Sequence, residues 1–243
     1  METVTWGGYD WYTRPLWGQH HPAEKHTWYD PDCIKLQDDG SIVLDIHYNP
    51  RTFIDNDGNK VTKDFGVVQM RTIREFKYGT FEWEMKTMEG KYVWPALWLA
   101  SNYSWPPEID CMEGWSNENA NFTKRLFWVN IKPTMHWSEN CDPKNGKHKS
   151  DNRKNICRCR IKQNDFNKYK VVWAPDYVDV YYNDYKVKRF TNKEMLAHFN
   201  KPEVHMHVLM SSGFYSDFPK HYKDYVNRNK PMIIKSFKYT PLK

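Results

Sequence analysis

The feature of this sequence that most limits its fold is a two-residue alternation of apolar and polar side chains, repeated in many short runs. Residues 81–85, 178–182 and 204–208 each place an apolar side chain at every second position. Successive side chains of a strand point to opposite faces, so each run predicts a strand with one buried face. Clusters of Asp, Asn and Gly separate the runs, for example at 38–40 and 56–59. Many short strands joined by turns predict an all-β antiparallel sandwich or barrel.

The length fits a single domain, because sandwiches and barrels of 243 residues commonly form one core. We therefore expect residues 1–243 to form one domain, since no internal repeat or linker interrupts the alternation. A helical pattern occurs at 192–199, with Thr191 as the predicted N-cap.

The net charge of +6 is concentrated in one segment. Residues 142–162 contain eight Lys and Arg against two acids, and this segment is predicted to be a long inserted loop. The rest of the chain is balanced, which argues against the wide basic face of a nucleic-acid-binding protein. The longest apolar run, 92–100, is too short to cross a membrane, and residues 1–30 have no signal-peptide core. We expect no nucleic-acid or membrane partner, and a monomer.

Five cysteines leave at least one thiol unpaired: Cys33, Cys111, Cys141, Cys157 and Cys159. A disulfide from Cys141 to one of the last two would pin the basic segment, whereas a reducing compartment would favour free thiols. Zinc is disfavoured, because the one-residue gap between the last two cysteines is shorter than zinc ligand spacing.

The most informative stretch is 105–115, where three carboxylates fall within six residues of a strand-like run. Glu108 and Asp110 share one face of a regular strand, but Glu113, five residues from Glu108, would point to the other. A one-residue β-bulge at 111–112 would bring all three acids to the same face. Acids crowded on a cleft-lining face repel, so at least one is expected to stay protonated near neutral pH.

Paired carboxyl groups of unequal pKa are what retaining glycoside hydrolysis requires. One carboxylate attacks the anomeric carbon, and a second, roughly 5–5.5 Å away, protonates the leaving oxygen and then activates water. The alternative is a solvated acidic strand, which the flanking Trp105, Met112 and Trp115 disfavour.

This stretch resembles the bulged E-I-D-x-x-E motif of glycoside hydrolase family 16. Further motifs of that family fall in the same order over about residues 60–215: F-K-Y-G-T-F-E at 76–82, V-W-P-A-L-W-L at 93–99, T-M-H-W at 134–137, and the hairpin-like segments at 165–169, 172–173 and 179–181. The resemblance implies a concanavalin-like β-jelly-roll sandwich of two curved antiparallel sheets, with the substrate cleft across the concave one. By position it implies that Glu108 is the nucleophile, Glu113 the general acid/base, and Asp110 the group that tunes the nucleophile.

Aromatic side chains are the expected surface for sugar rings, whose flat faces are apolar. Among the 12 Trp, Trp83 and Trp173 are core candidates, and Trp94, Trp98, Trp105 and Trp115 are cleft candidates. The family resemblance adds Arg71, as a ligand of sugar hydroxyls, and His136. His205 and His207 are expected at the surface or behind the substrate-contacting residues.

The resemblance is greatest to laminarinases and lichenases, so a β-1,3- or β-1,3-1,4-glucan is the first predicted substrate and an extracellular or cell-surface location is implied. A sulfated or red-algal galactan is the second, because the Lys and Arg of 142–162 could bind sulfate. A non-catalytic lectin-like protein is the alternative of another class. No cofactor is expected, and a structural calcium is disfavoured because 231–237 lacks the acidic ligand that the family uses there.

Overall fold

We describe the protein from a computed structural model. The structure describes residues 1–21, 24–90, 92–114, 128–129, 131–153, 156–157, 160–162, 164–214 and 230–242. Trp115, Cys159 and the side chain of Cys157 lie outside this description.

Strands dominate the chain, as the alternating pattern predicts. In chain order the elements are β1 (Thr3–Trp6), β2 (Tyr9–Tyr12), β3 (Thr27–Tyr29), β4 (Ile34–Leu36), β5 (Ile42–Leu44), β6 (His47–Ile54), β7 (Lys60–Thr72), β8 (Gly79–Lys86), β9 (Ala96–Ser101), β10 (Glu108–Gly114), β11 (Trp128–Val129), β12 (Ile131–Ser138), β13 (His148–Asn152), β14 (Ile156–Cys157), β15 (Asn167–Trp173), β16 (Val178–Tyr182), β17 (Tyr185–Phe190), helix α1 (Lys193–Phe199), β18 (Met206–Ser212) and β19 (Met232–Thr240).

Two large sheets form the sandwich. Within the described residues, the first sheet runs β1-β2-β7-β18-β9-β10-β12-β13, with β3 and β6 also paired to β7. The second runs β17-β16-β15-β8-β19-β5-β4. Their ladders are antiparallel apart from the parallel pair of β3 and β7. This arrangement confirms the predicted all-β jelly-roll sandwich of two antiparallel sheets.

The core lies between the facing sides of the two sheets. The first sheet contributes fully buried residues such as Leu97, Leu99, Ile109, Met135 and Val208, and the second contributes Phe81, Trp83, Tyr169, Val171 and Val180. Both predicted core tryptophans are confirmed: Trp83 is 1% exposed and Trp173 is 0% exposed. Burial of one such large side chain contributes about 1.5–3 kcal/mol, so this layer fixes how the two sheets are placed.

The predicted helix forms, but its N-cap is one residue later than expected. The Asn192 side chain accepts a hydrogen bond from the Met195 N–H at 3.0 Å, so Asn192, and not Thr191, caps the helix that begins at Lys193. Either residue type can cap a helix; the one whose oxygen reaches the third helical amide does so here. No helix within the described residues is long and apolar enough to cross a membrane.

The basic segment 142–162 is only partly a loop. Its residues His148–Asn152 form β13, which pairs with β12 at the edge of the first sheet, and Ile156–Cys157 pairs with β11. A charged sequence can form an edge strand because only one side of that strand is paired and its side chains can reach solvent. In the described residues Cys33, Cys111 and Cys141 are free thiols.

Candidate active site

The site is built on β10, and the predicted bulge is present. Asp110 pairs with Thr134 and Glu113 with Lys132, so residues 111 and 112 together lie opposite the single residue Pro133 of β12. The ladder to β9 shifts at the same place, between Asp110 and Met112. Proline has no N–H for a ladder and is tolerated at bulges. Pro133 is therefore a second sequence signal for this bulge, which the motif alone had predicted.

The bulge sorts the side chains of β10 between the core and a cavity on the opposite face. Ile109, Cys111 and Met112 are fully buried in the core. The Tyr182 hydroxyl, from the second sheet, donates to the Cys111 carbonyl at 2.9 Å and anchors the bulge. The three acids Glu108, Asp110 and Glu113 line a cavity of about 350 Å³ on the outer face of the first sheet. The predicted sharing of one face is thus found.

Burial dominates the electrostatics of the three carboxyl groups. It raises the pKa of Glu108 and of Asp110 well above the ordinary range, and it also raises the pKa of Glu113. Repulsion adds to this effect, because the charge of Asp110 raises the pKa of Glu108 and that of Glu113 raises the pKa of Asp110. Three such groups cannot all be ionised near neutral pH, so the cluster retains at least one proton.

The two glutamates have different partners. Glu108 Oε2 accepts a hydrogen bond from the Trp105 indole N–H at 3.1 Å, and Glu113 Oε1 accepts one from the Trp94 indole N–H at 3.1 Å. Lys132 Nζ lies 3.7 Å from Glu113 Oε2 and lowers the pKa of that carboxyl group against the effect of burial. Two tryptophans predicted as sugar platforms therefore also orient the acids.

His136, on β12, faces Asp110 and Glu108 on the neighbouring strand. Its Nε2 is 3.2 Å from Asp110 Oδ2 and 3.7 Å from Glu108 Oε1. The proximity of the imidazole lowers the pKa of Glu108 and so opposes the increase that desolvation causes. Asp110, at 4% exposure, is the most enclosed of the three acids. Asp110 is therefore best placed to hold the retained proton, while His136 and Trp105 stabilise an ionised Glu108.

Glu108, Asp110 and His136 each offer one potential metal-ligand atom, and these three atoms lie within 4.8 Å of one another. Among the described residues this set is the candidate metal centre. Its two carboxyl groups belong to the cluster that retains a proton, and the imidazole lies beside them. Carboxyl and imidazole groups in contact are suited to acid–base chemistry.

Comparison with known proteins decides the family. The family described as Glycosyl hydrolases family 16 matches residues 59–226, well over half of the chain. The chain belongs to this family. The matched region contains β10 with its three acids, His136, and the second-sheet strands β8, β15, β16 and β17. No curated protein matches the chain.

Solved structures share the same fold. LamAcat from Zobellia galactanivorans superposes with a TM-score of 0.70 at 17% identity, over 94% of this chain and 90% of that one. Porphyranase B from the same organism gives 0.70 at 16% identity, over 98% and 87%. The laminarinase catalytic domain from Thermotoga maritima gives 0.63 at 19% identity, over 90% and 84%. These similarities extend beyond the region matched by the family 16 model.

The structure places three of the predicted cleft tryptophans together. Trp94, Trp98 and Trp105 all line the cavity. Trp98 donates from its indole N–H to Ser211 Oγ at 2.9 Å, while Trp105 is 57% exposed. Trp115, the fourth, lies outside the described residues.

Arg71 lies on the same sheet face as the acids but away from them. In the ladder Asp110 is opposite Trp98, Trp98 opposite Leu209, and Leu209 opposite Arg71, so three strand spacings separate Arg71 from Asp110. Arg71 is 4% exposed, donates to Asn102 Oδ1, and is not among the described residues that line the cavity. If Arg71 binds sugar hydroxyls as predicted, it does so on the part of this sheet face that lies beyond the cavity.

His207 is buried beside Arg71. Of its two expected positions, the surface is excluded because the side chain is 2% exposed, whereas the packing beside Arg71 agrees with a position behind a residue predicted to contact substrate. Its Nε2 lies 3.0 Å from Glu75 Oε1, and its Nδ1 lies 2.8 Å from the Thr72 carbonyl. A buried imidazole is tolerated because both ring nitrogens have polar partners.

Two charged or titratable cavity residues come from outside the family 16 region. His21 and Glu24 precede β3 and line the cavity together with Gln69 and Phe214. Their segment is held by Lys63, whose Nζ donates to the Glu24 carbonyl at 2.6 Å. Sequence reasoning missed them because no local pattern shows that β3 will pair in parallel with β7.

The described basic side chains of 142–162 do not line the cavity. Lys149 pairs with Glu139 at 2.9 Å and Glu194 at 3.0 Å, Arg153 donates to the Val187 carbonyl at 2.8 Å, and Arg160 stacks 4.1 Å from the centre of the Tyr185 ring. Lys144 and Lys147 are exposed. Much of this charge is therefore used in structural contacts.

Proposed function

We propose that this family 16 protein is a retaining endo-glycoside hydrolase that cleaves internal β-linkages of a polysaccharide. The observation that carries the proposal is the arrangement of Glu108, Asp110 and Glu113 on one face of a bulged strand, inside an aromatic cavity and with unequal partners. A binding protein needs aromatic platforms but has no use for three mutually repelling acids, whose burial is costly.

In the proposed reaction Glu108 attacks the anomeric carbon while Glu113 donates its proton to the departing glycosidic oxygen. The bond from the anomeric carbon to that oxygen breaks, and a covalent ester with Glu108 forms. Glu113, now ionised, takes a proton from a water molecule as the oxygen of that water attacks the anomeric carbon. The ester bond to Glu108 breaks, which releases the sugar and restores both carboxyl groups. Asp110 holds the shared proton that keeps the charge of the cluster low while Glu108 stays ionised.

A neutral β-glucan is the proposed substrate class. Within the described lining of the cavity there are four acids, namely Glu24, Glu108, Asp110 and Glu113, and no Lys or Arg. Sulfate esters would meet like charges there, whereas a neutral sugar meets tryptophan rings and hydroxyl-binding groups. The laminarinase likeness is consistent with this choice, and the porphyranase B likeness keeps a galactan among the substrates to be tested.

The test is a reducing-end assay of the purified protein on laminarin, lichenan, agarose, porphyran and κ-carrageenan. We expect new reducing ends from laminarin or lichenan, and a loss of at least about 10³-fold in kcat for Glu108→Gln and for Glu113→Gln. Unchanged circular dichroism would show that both variants fold. Activity on a sulfated polymer alone would overturn the substrate class. Binding of a glucan without release of ends would indicate a lectin-like protein.

A further inference from the structure

Strand β13 brings a second histidine to the active site. His148, its first residue, pairs with Ser138, and Ser150 pairs with His136, so the two histidines are diagonal neighbours on adjacent strands. Such neighbours lie within reach of ring side chains. The segment that supplies His148 is the basic one, whose role the proposed reaction does not explain.

The two imidazoles are in direct contact. His148 Nε2 lies 2.8 Å from His136 Nδ1, and the ring centroids are 5.1 Å apart at an angle of 17°, so the two rings are nearly coplanar and meet edge to edge. The other side of the contact is Trp105, whose ring centroid is 5.0 Å from that of His148. His148 thus lies between Trp105, which donates a hydrogen bond to Glu108, and His136, which faces Asp110.

The chemistry of imidazole makes this contact consequential. A neutral imidazole has one N–H and one lone pair, and the partner of one nitrogen decides which form the other takes. His136 can donate to the carboxyl groups of Asp110 and Glu108 only when its Nε2 carries the proton. A neutral His136 in that form needs a donor at Nδ1, and His148 Nε2 is the donor that the described residues place there. His148 is exposed overall, but partial desolvation of its ring and the nearby His136 lower the pKa of His148, which favours a neutral ring with a single N–H.

We infer that His148 is a positioning residue that keeps the proton of neutral His136 on Nε2, the ring nitrogen that lies beside Asp110 and Glu108. The inference rests on the proposed function for its effect on turnover, but the tautomer itself is a property of the free protein. His148 does not touch the reacting atoms; it acts through His136.

Two substitutions separate the hydrogen bond from the packing of the His148 ring. His148→Phe keeps a flat ring between Trp105 and His136 but removes the N–H. His148→Gln removes the ring but places an amide donor near the position of Nε2. Lys147→Gln is the matched control, because Lys147 is the exposed neighbour of His148 in the same segment.

The direct readout is ¹⁵N NMR of protein labelled at histidine, with the His136 signals assigned by comparison with His136→Asn. We expect His136 to carry its proton on Nε2 in the wild type and in His148→Gln, and to show a mixture of tautomers in His148→Phe. On the cleaved glucan we expect kcat to fall about tenfold in His148→Phe with KM unchanged, and to stay within about twofold of wild type in His148→Gln and Lys147→Gln.

An unchanged His136 tautomer in His148→Phe would overturn the inference, even if turnover fell. A larger loss of kcat in His148→Gln than in His148→Phe would also overturn it, because the ring and not the hydrogen bond would then matter. If no glucan is cleaved, the proposed function fails, and the NMR comparison still decides the tautomer.

Discussion

At the scale of single residues, the site concentrates groups that oppose folding. Asp110 is 4% exposed, and its burial next to Glu113 raises its pKa well above the ordinary value. A carboxyl group whose pKa is raised by folding makes the folded state bind protons more tightly, so stability is lost as the pH rises above the pKa of the unfolded chain, about 3.9. The active site therefore costs stability at neutral pH.

We predict that Asp110→Asn is more stable than the wild type at pH 8 and equally stable near pH 3.5. Each pKa unit of the shift corresponds to about 1.4 kcal/mol, and one such unit would raise Tm by about 3 °C. Thermal unfolding followed by circular dichroism at the two pH values measures the difference.

Asp38→Asn is the control for this prediction. Asp38 is exposed, so its substitution should leave Tm unchanged at both pH values. A loss of stability in Asp110→Asn that is larger at pH 8 than near pH 3.5 would show that the carboxylate is stabilising, contrary to our interpretation.

At the scale of elements, the bulge in β10 illustrates what the sequence could predict. The five-residue spacing of Glu108 and Glu113 needs one extra residue for both to share a face, and the structure has that residue at 111–112. The alternating strands and the helix at 193–199 were predictable for the same reason, since their side-chain periodicity is local.

Other elements depend on long-range pairing that no local pattern encodes. The charged sequence of β13 predicts a loop, because it lacks the alternation of apolar and polar side chains that marks a half-buried strand. An edge strand does not need that alternation. Glu24 enters the cavity only because β3 pairs with β7, some 40 residues later. The buried contact of His207 with Glu75 likewise joins segments far apart in sequence.

We predict that deletion of Met112 preserves the shared face of the acids. It leaves Glu108, Asp110 and Glu113 spaced by two residues each, as in a regular strand, and makes the register opposite Pro133 regular. We expect a folded protein with measurable glucanase activity, destabilised by about 2–5 kcal/mol through loss of a buried side chain. Urea unfolding and the reducing-end assay measure the two effects.

Deletion of Ile109 is the matched control. It removes a buried residue of similar size from the same strand but makes Glu108 and Asp110 adjacent, so that they point to opposite faces. We expect no activity from this variant. Equal activity in the two deletions would show that the parity of β10 does not determine the site.

At the scale of the whole molecule, the sandwich assigns the abundant aromatic residues to two places. One set, which includes Trp11, Trp83 and Phe237, packs between the sheets, with Trp11 and Phe237 edge to face at a centroid distance of 5.6 Å and Trp83 and Phe237 tilted at 5.3 Å. Another set, Trp94, Trp98 and Trp105, lines the cavity on the opposite face. The first sheet is thus shared by the core on one side and the site on the other, and the bulge in β10 connects the two.

The central claim is that Glu108 is the nucleophile of a retaining hydrolase, and covalent trapping tests it most directly. The wild-type protein is incubated with an activated 2-deoxy-2-fluoro glycoside of a glucan oligosaccharide that it cleaves, and the labelled peptide is located by mass spectrometry. We predict one sugar per protein, attached to the Glu108 carboxyl group. A label on Glu113 or Asp110 would contradict the account.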